Sequence, residues 1–275
     1  MQAVEQQVAD AVGTARYEVA AVRYGTLNAR KSELFHRYES YGEPDAEVEM
    51  AYYFWILIRG GRAILVDTGF DPAVGVRRGR VCDCEPLEAL RRLGVDPEDV
   101  NTILVSHLHY DHIGNLAAFP QAQLVVPRKE LEFWTGPYAD RHQFAAHVEP
   151  TEIELLDAAH RSGRVRLVDG TEEIQEGITA IVVGGHSPGQ QMTVVATDGG
   201  DVVLTSDAVH FYEELEADRP FGVVADLELM YGAYDLVKEL GKAPGAVIVP
   251  GHDPAVMDRF PELEDGSGGL AVRVG

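Results

Sequence analysis

The chain is poor in cysteine, in basic residues and in long apolar runs. Only Cys82 and Cys84 are present among 275 residues, too few for a disulfide framework. A bridge across a single intervening residue would also be strained. Lys and Arg number 23 against 45 Asp and Glu, a formal net charge of −22. Such a surface repels phosphate backbones and anionic headgroups, which argues against nucleic acid or a membrane as partner. The most apolar run, Met50 to Ile58, is about half of the roughly 20 residues that span a bilayer. The first residues, Met1-Gln2-Ala3-Val4-Glu5-Gln6-Gln7, lack the basic start and apolar core of a secretory leader. These absences together lead us to expect a reduced, cytoplasmic protein. There is no internal repeat, no Pro/Ser linker and no Gly-x-Ser-x-Gly nucleophile elbow, so a serine hydrolase is disfavoured.

What is present is the balance of a globular domain: 45% apolar and 25% charged residues, with length enough for a substantial core. Short β-type runs alternate with helix-type runs. Strands are expected at Tyr17–Tyr24, Tyr52–Ile58, Arg62–Val66, Asn101–Val105 and Leu124–Val126. Gly60-Gly61 forms a hairpin turn between the second and third of these. Helices are expected at Pro86–Leu93, stopped by Gly94, at Ile113–Phe119, stopped by Pro120, and from Arg128 to Trp134. Arg30–Glu49 is polar and aromatic-rich and is left unassigned. The second half predicts a helix over Thr151–Ala159 and strands at Arg164–Val168, Ile178–Val183, Met192–Thr197 and Asp201–Thr205. A helix over Leu227–Leu240, a strand at Ala246–Val249 and a loose acidic, Gly-rich end from Glu262 to Gly275 complete the chain. Strands abut strands as often as helices, which predicts α/β or α+β sheets covered by helices.

The chemistry concentrates in His107-Leu108-His109-Tyr110-Asp111-His112. Three imidazoles and a carboxylate at the mouth of a strand suit zinc and similar divalent ions. On an extended backbone positions i and i+2 face the same way, so His107 and His109 can grip one ion. Asp111 and His112, past the turn, can grip a second. Six residues cannot enclose two ions, so further donors are expected at other strand ends. His186 follows Ile178–Val183 in Gly184-Gly185-His186, Asp207 follows Asp201–Thr205 in Ser206-Asp207-Ala208, and His252 follows Ala246–Val249 in Pro250-Gly251-His252. The adjoining glycines permit close backbone approach.

With these motifs in order, the sequence resembles the metallo-β-lactamase-fold hydrolase superfamily, from Val66-Asp67-Thr68-Gly69 to His252. The resemblance implies an αββα sandwich, two mixed sheets flanked by helices, as one domain over residues 1–275. It implies that His107, His109 and His186 hold one metal and Asp111, His112 and His252 a second. Asp207 would bridge them and Asp67 would support from behind. His109, rather than a carboxylate, sets the chain apart from the di-iron, oxygen-reducing branch. Two zinc ions are therefore the expected cofactor, with iron, manganese or cobalt as other candidates.

Two such metals about 3.5 Å apart can share a water and lower its pKa toward about 7. The resemblance is nearest to the N-acyl homoserine lactonases, the quorum-quenching lactonases. Ring opening by a metal-bridging hydroxide is thus the expected reaction, with Asp111 assisting the leaving oxygen. Those enzymes carry a Tyr three residues after the bridging Asp; here that position is His210, an imidazole able to donate a hydrogen bond or a proton. His210 is accordingly read as catalytic and substrate-binding. Tyr212, Phe35 and Trp134 are read as further substrate contacts. The same aromatic loops also suit a homodimer contact, and the residues do not separate the two uses. The other reading on this fold is a hydrolase of another lactone, a cyclic amide or a glyoxalase II-type thioester. For the thioesterase, the single Arg273 after Phe260 offers little to bind glutathione. Arg77-Arg78-Gly79-Arg80 is read as a solvated basic loop, and His36, His142, His147 and His160 as ordinary residues.

Overall fold

The computed structural model describes residues 15–263 and 268–275. The N-terminal residues in which no leader was seen lie outside them. Two mixed sheets stack face to face with helices on the outside, an αββα sandwich.

The first sheet is built around two 13-residue strands, β1 (Glu18–Arg30) and β2 (Glu47–Arg59), paired antiparallel. β2 continues through the Gly60-Gly61 turn into β3 (Arg62–Val66). A two-residue strand, β4 (Val81–Cys82), pairs with β1. β5 (Thr102–Leu104), β6 (Gln123–Pro127) and β7 (Val165–Val168) then add in parallel beside β3. The second sheet contains β8 (Thr171–Gln175), β9 (Ile178–Val182), β10 (Gln191–Thr197), β11 (Gly200–Ser206) and β12 (Val247–Pro250).

β2 shows why the sheets stack. Ala51, Tyr53, Trp55 and Leu57 join Val195, Val202, Leu204 and Val249 in the core between the sheets. The alternate residues Met50, Tyr52, Phe54 and Ile56 pack into the outer core instead. Side chains alternate across a strand, so a continuous apolar run serves both faces. On the far side, the helix Leu227–Leu240 contributes Met230, Ala233, Tyr234 and Val237 to the core.

The parallel pairings position the site. β3 and β5 run parallel, as do β11 and β12. β9 and β11 both run antiparallel to β10 and therefore share a direction. The carboxyl ends of these strands consequently open at one edge of the sandwich. Two non-glycine residues there, Asp67 (φ 63°) and Ser206 (φ 44°), take left-handed backbone conformations. Such conformations are uncommon outside glycine and cluster at functional sites.

Three expectations need correction. The helix predicted over Ile113–Phe119 is instead a helical turn at Tyr110–Ile113 and a 3-10 turn at Leu116–Ala118. The Asn115 side-chain amide donates to the carbonyls of Thr68 and Phe70, 2.9 and 3.0 Å away, which diverts the chain from a helix. β1 runs on through a bulge between Arg23 and Gly25. A Cβ at Gly25 would meet the Val81 carbonyl oxygen at 2.5 Å, so β4 can approach only a glycine there. The C-terminal end is not loose across its described part: β13 (Ala271–Arg273) pairs with β1, and Val272 and Val274 are buried. Residues 264–267 of that stretch lie outside the described residues. β8 was missed because Thr-Glu-Glu-Ile-Gln is a polar edge strand.

Val272→Asp would place a charge in the inter-sheet core. We expect a loss of about 3 kcal/mol or more in stability, read as the shift in urea unfolding midpoint. An unchanged midpoint would return this segment to a loose tail.

Candidate metal centre

Four of the sequence-predicted metal ligands follow strands at the shared edge, and three lie at the turn that comes after β5. His107 follows β5, His186 follows β9, Asp207 follows β11 and His252 follows β12. His109 precedes, and Asp111 and His112 lie within, the turn Tyr110–Ile113. All seven are buried. Donor atoms approach within 4.8 Å of one another in four groups. These are His107/His109/His186, His107/His112/Asp207, Asp111/His112/His252 and His186/Asp207/His210.

The outer ring nitrogens set the tautomers. His186 Nδ1 lies 2.9 Å from the Val223 carbonyl oxygen, and His252 Nδ1 lies 2.7 Å from that of Ala51. A carbonyl only accepts, so each Nδ1 carries a proton and each ring turns its Nε2 inward. His112 Nδ1 faces Asp67 Oδ2 at 2.8 Å. Asp67 is itself held by the Ser106 backbone N–H at 2.8 Å and the Ser106 hydroxyl at 2.7 Å. It thus touches His112 from behind rather than entering the cluster.

Asp207 stands at the middle with its two oxygens facing opposite ways. Oδ1 is 3.1 Å from His252 Nε2 and 3.3 Å from His112 Nε2. Oδ2 is 3.2 Å from both His186 Nε2 and His210 Nε2. His107 Nε2 and His112 Nε2 are buried without a hydrogen-bond partner. Unsatisfied buried nitrogens converging on a carboxylate are costly as they stand. They are the donor set a cation needs, and imidazole with carboxylate suits zinc, iron, cobalt or manganese.

The electrostatics agree. Burial holds His107, His109 and His186 well below the usual imidazole range, the neutral form that ligates. Burial would also lower His112, but Asp207, Asp111 and Asp67 outweigh it and hold the ring well above that range. Burial likewise opposes charge on Asp207, yet His252, His112, His210 and His186 hold it well below the carboxylate range.

A cleft of about 380 Å³ opens onto this cluster. Asp111, His109, His186 and Asp207 form its floor. Leu27, Met50, Phe221 and Val223 supply apolar wall, and Arg80, Tyr52, Tyr110 and His147 a polar one. Arg80 Nε lies 2.8 Å from the Tyr110 hydroxyl and 3.0 Å from that of Tyr52. Arg80 and His147, read from sequence as solvated or ordinary, therefore belong to the site. No local spacing signals this, because β4 and the loop before Pro150 bring them there.

The predicted substrate contacts do not line the cleft. Phe35 is buried against Phe211, ring centroids 5.7 Å apart. Tyr212 donates to the Ile248 carbonyl at 3.1 Å and lies under Arg259, away from the opening. His210 is fully buried beneath Phe221, whose ring stacks on it at 3.7 Å. Trp134 is buried too, and its indole N–H donates to Glu130 Oε2 at 2.8 Å. Large aromatics satisfy core and pocket alike, and the sequence does not distinguish them.

Glu130 was not anticipated. Its Oε2 also accepts from the Leu108 N–H at 3.1 Å, and its Oε1 from the Gly189 N–H at 2.6 Å and the Ser187 hydroxyl. One buried carboxylate thus ties the His107–His109 segment to the His186 loop. Burial pushes its pKa up, against the pull of these four donors. Glu214 does the same for the Asp207 loop, accepting from the backbone N–H groups of His210 and Phe211 at 2.5 and 2.8 Å.

An αββα sandwich with a buried imidazole–carboxylate cluster at one sheet edge is the architecture of a family of metal-binding hydrolases. The metallo-beta-lactamase superfamily model matches residues 48–252, and the chain belongs to that superfamily. An N-acyl homoserine lactonase of Bacillus thuringiensis is 33% identical over 165 residues, 60% of each chain. The alignment therefore spans about 60% of that relative's length. N-acyl homoserine lactonase AttM of Azorhizobium caulinodans is 28% identical over 228 residues, 77% of this chain and 81% of its own. A crystal structure of a quorum-quenching N-acyl homoserine lactone lactonase shares the fold, with a TM-score of 0.73 and 24% identity over 92% of this chain and 99% of its own.

Glu130→Gln keeps the shape but turns one acceptor oxygen into a donor facing N–H groups. We expect a loss of about 1–3 kcal/mol in stability and about 10–100-fold in metal affinity. Thermal unfolding and competitive metal titration read the two effects separately.

Proposed function

We propose that the chain is a single-domain, cytoplasmic, dinuclear metal hydrolase that opens the ring of N-acyl homoserine lactones, with zinc as its metal. The observation that carries this reading is Asp207, whose two oxygens face two separate imidazole sets. His107, His109 and His186 would hold one ion, and Asp111, His112 and His252 the other, with Asp207 shared. The names of the curated relatives supply the substrate class. Two thiols without a disulfide, Cys82 and Cys84, suit a reducing compartment.

When bound, two divalent ions acidify water and polarise an ester carbonyl. The chain's own residues do the rest. The apolar wall of Leu27, Met50 and Phe221 takes an acyl chain and excludes water from it. Arg80, held by the Tyr52 and Tyr110 hydroxyls, presents a fixed guanidinium to a carbonyl oxygen of the substrate. The Asp111 carboxylate lines the cleft floor, where it can take the proton given up by the attacking water and pass it to the ring oxygen as that oxygen leaves. Ser106 and Ser187 are buried and line no part of the cleft, so neither is placed to act as a nucleophile.

The direct test is acid release from a lactone panel at constant pH with zinc-loaded protein. Short- and long-chain N-acyl homoserine lactones should turn over and a plain γ-lactone less well. Asp207→Ala should lower the rate on the order of 10²–10³-fold or more. Chelation should abolish turnover and added zinc restore it. Turnover of thioesters or cyclic amides in place of lactones would move the substrate assignment while leaving the metal centre. Arg80→Gln should raise KM for the acylated lactones about tenfold, the worth of a charge-assisted hydrogen bond, with a smaller effect on the plain lactone. Equal effects on both would remove Arg80 from acyl recognition.

A further inference from the structure

His210 was expected to face the substrate, and its surroundings argue against that. The ring lines no part of the cleft. Phe221, which does line it, covers His210 at a centroid distance of 3.7 Å and an interplanar angle of 13°. Behind the ring lies Glu214, with Oε1 3.2 Å from His210 Nδ1. Glu214 is locked by the His210 and Phe211 N–H groups and by the Tyr234 hydroxyl. The imidazole is thus covered on its face, has a carboxylate close to its outer nitrogen without an aligned hydrogen bond, and turns its other edge to the cluster.

At that edge Nε2 lies 3.2 Å from Asp207 Oδ2, yet their alignment is not that of a hydrogen bond. His186 Nε2 meets the same oxygen at the same distance. The donor atoms of His186, Asp207 and His210 lie within 4.8 Å of one another. Three donors gathered this closely are within reach of one common ion. A carboxylate behind the outer nitrogen is also the arrangement that orients metal-ligating histidines and raises their basicity.

We propose that His210 Nε2 is a direct ligand of the ion held by His107, His109 and His186. This rests on the dinuclear reading above and adds a donor to it. The two positions then differ. The first is offered His107, His109, His186, His210 and Asp207 Oδ2, and the second Asp111, His112, His252 and Asp207 Oδ1. A five-donor set is richer than the tetrahedral shell of structural zinc sites; it would hold zinc five-coordinate and also suits iron, cobalt or manganese. The first position is therefore the more selective of the two.

The test uses the full-length protein loaded with cobalt(II), and compares wild type with His210→Phe and His210→Glu. Phe keeps a ring stacked on Phe221 and removes the donor nitrogens, and Glu carries a donor oxygen about as far as Nε2; circular dichroism and thermal unfolding verify both folds. Expected for Phe is a fall of at least about 100-fold in one cobalt affinity while the other stays. The visible cobalt spectrum should shift toward lower coordination number. Expected for Glu is recovery of the second cobalt with a spectrum different from that of wild type. Two tightly held cobalt ions and an unchanged spectrum in Phe, or a folded Glu variant whose cobalt binding is as weak as that of Phe, would overturn the proposal. Should Phe fail to fold, the Glu variant decides by its spectrum: one identical to that of wild type would overturn the proposal. No lactone enters these measurements. A wild type that binds two metals but opens no lactone would sink the functional reading and leave this one intact.

Discussion

The structure turns on one buried carboxylate. Asp207 carries negative charge in a place with almost no water, and the imidazoles of His112, His186, His210 and His252 surround it. An isolated buried charge would be expensive, and it persists only where partners replace its hydration. The imidazoles alone do not complete that replacement, because two of their inward nitrogens, His112 Nε2 and His210 Nε2, find no hydrogen bond. The centre is therefore preorganised for cations: the fold has already met the cost of bringing the donors together, and ligand binding recovers it.

Holding that centre requires a second layer of buried acids. Asp67, Glu130 and Glu214 each accept several backbone or side-chain protons and each stitches two loops together. Glu130 joins the His107–His109 segment to the His186 loop, and Glu214 joins the Asp207 loop to the helix Leu227–Leu240 through Tyr234. None of the three enters the donor cluster, yet the positions of the donors follow from them. The left-handed backbone at Asp67 and Ser206 belongs to the same layer. Ser206 Oγ lies 3.4 Å from Asp67 Oδ2, so the two strained strand exits brace each other.

Much of this was legible in the chain. The His107–His112 motif is dense enough in donors to declare itself, and His186, Asp207 and His252 each follow a β run. The helices Arg128–Trp134 and Leu227–Leu240 agree with the periodicity, because their apolar spacing is regular and their ends are marked. Boundaries failed where a distant partner supplied the deciding hydrogen bond. Asn115 breaks a helix by reaching the carbonyls of Thr68 and Phe70, and β13 is ordered only because β1 lies beside it. Among aromatic residues, local context was uninformative. Phe35 and Trp134 lie in polar sequence but are buried in space, whereas Tyr52, in an apolar run, reaches the cleft.

The sequence by itself determined the donor chemistry and the family, because ligand type and spacing within a short segment are local properties of the chain. It also determined the two-faced apolar strands that require a sandwich, because side-chain alternation is a local property too. Which way each donor points, and which residues line the cleft, only the tertiary structure decided. His210 shows the reason. From its place three residues after Asp207, the sequence allows it either to line the cleft or to point into the donor cluster. The choice is made by Phe221 laid over its face and Glu214 set behind its outer nitrogen, contacts that the packing of separate elements creates. Arg80 and His147 reach the cleft for the same reason: long-range packing, not their sequence neighbours, brings them to the floor that β5, β9 and β11 assemble.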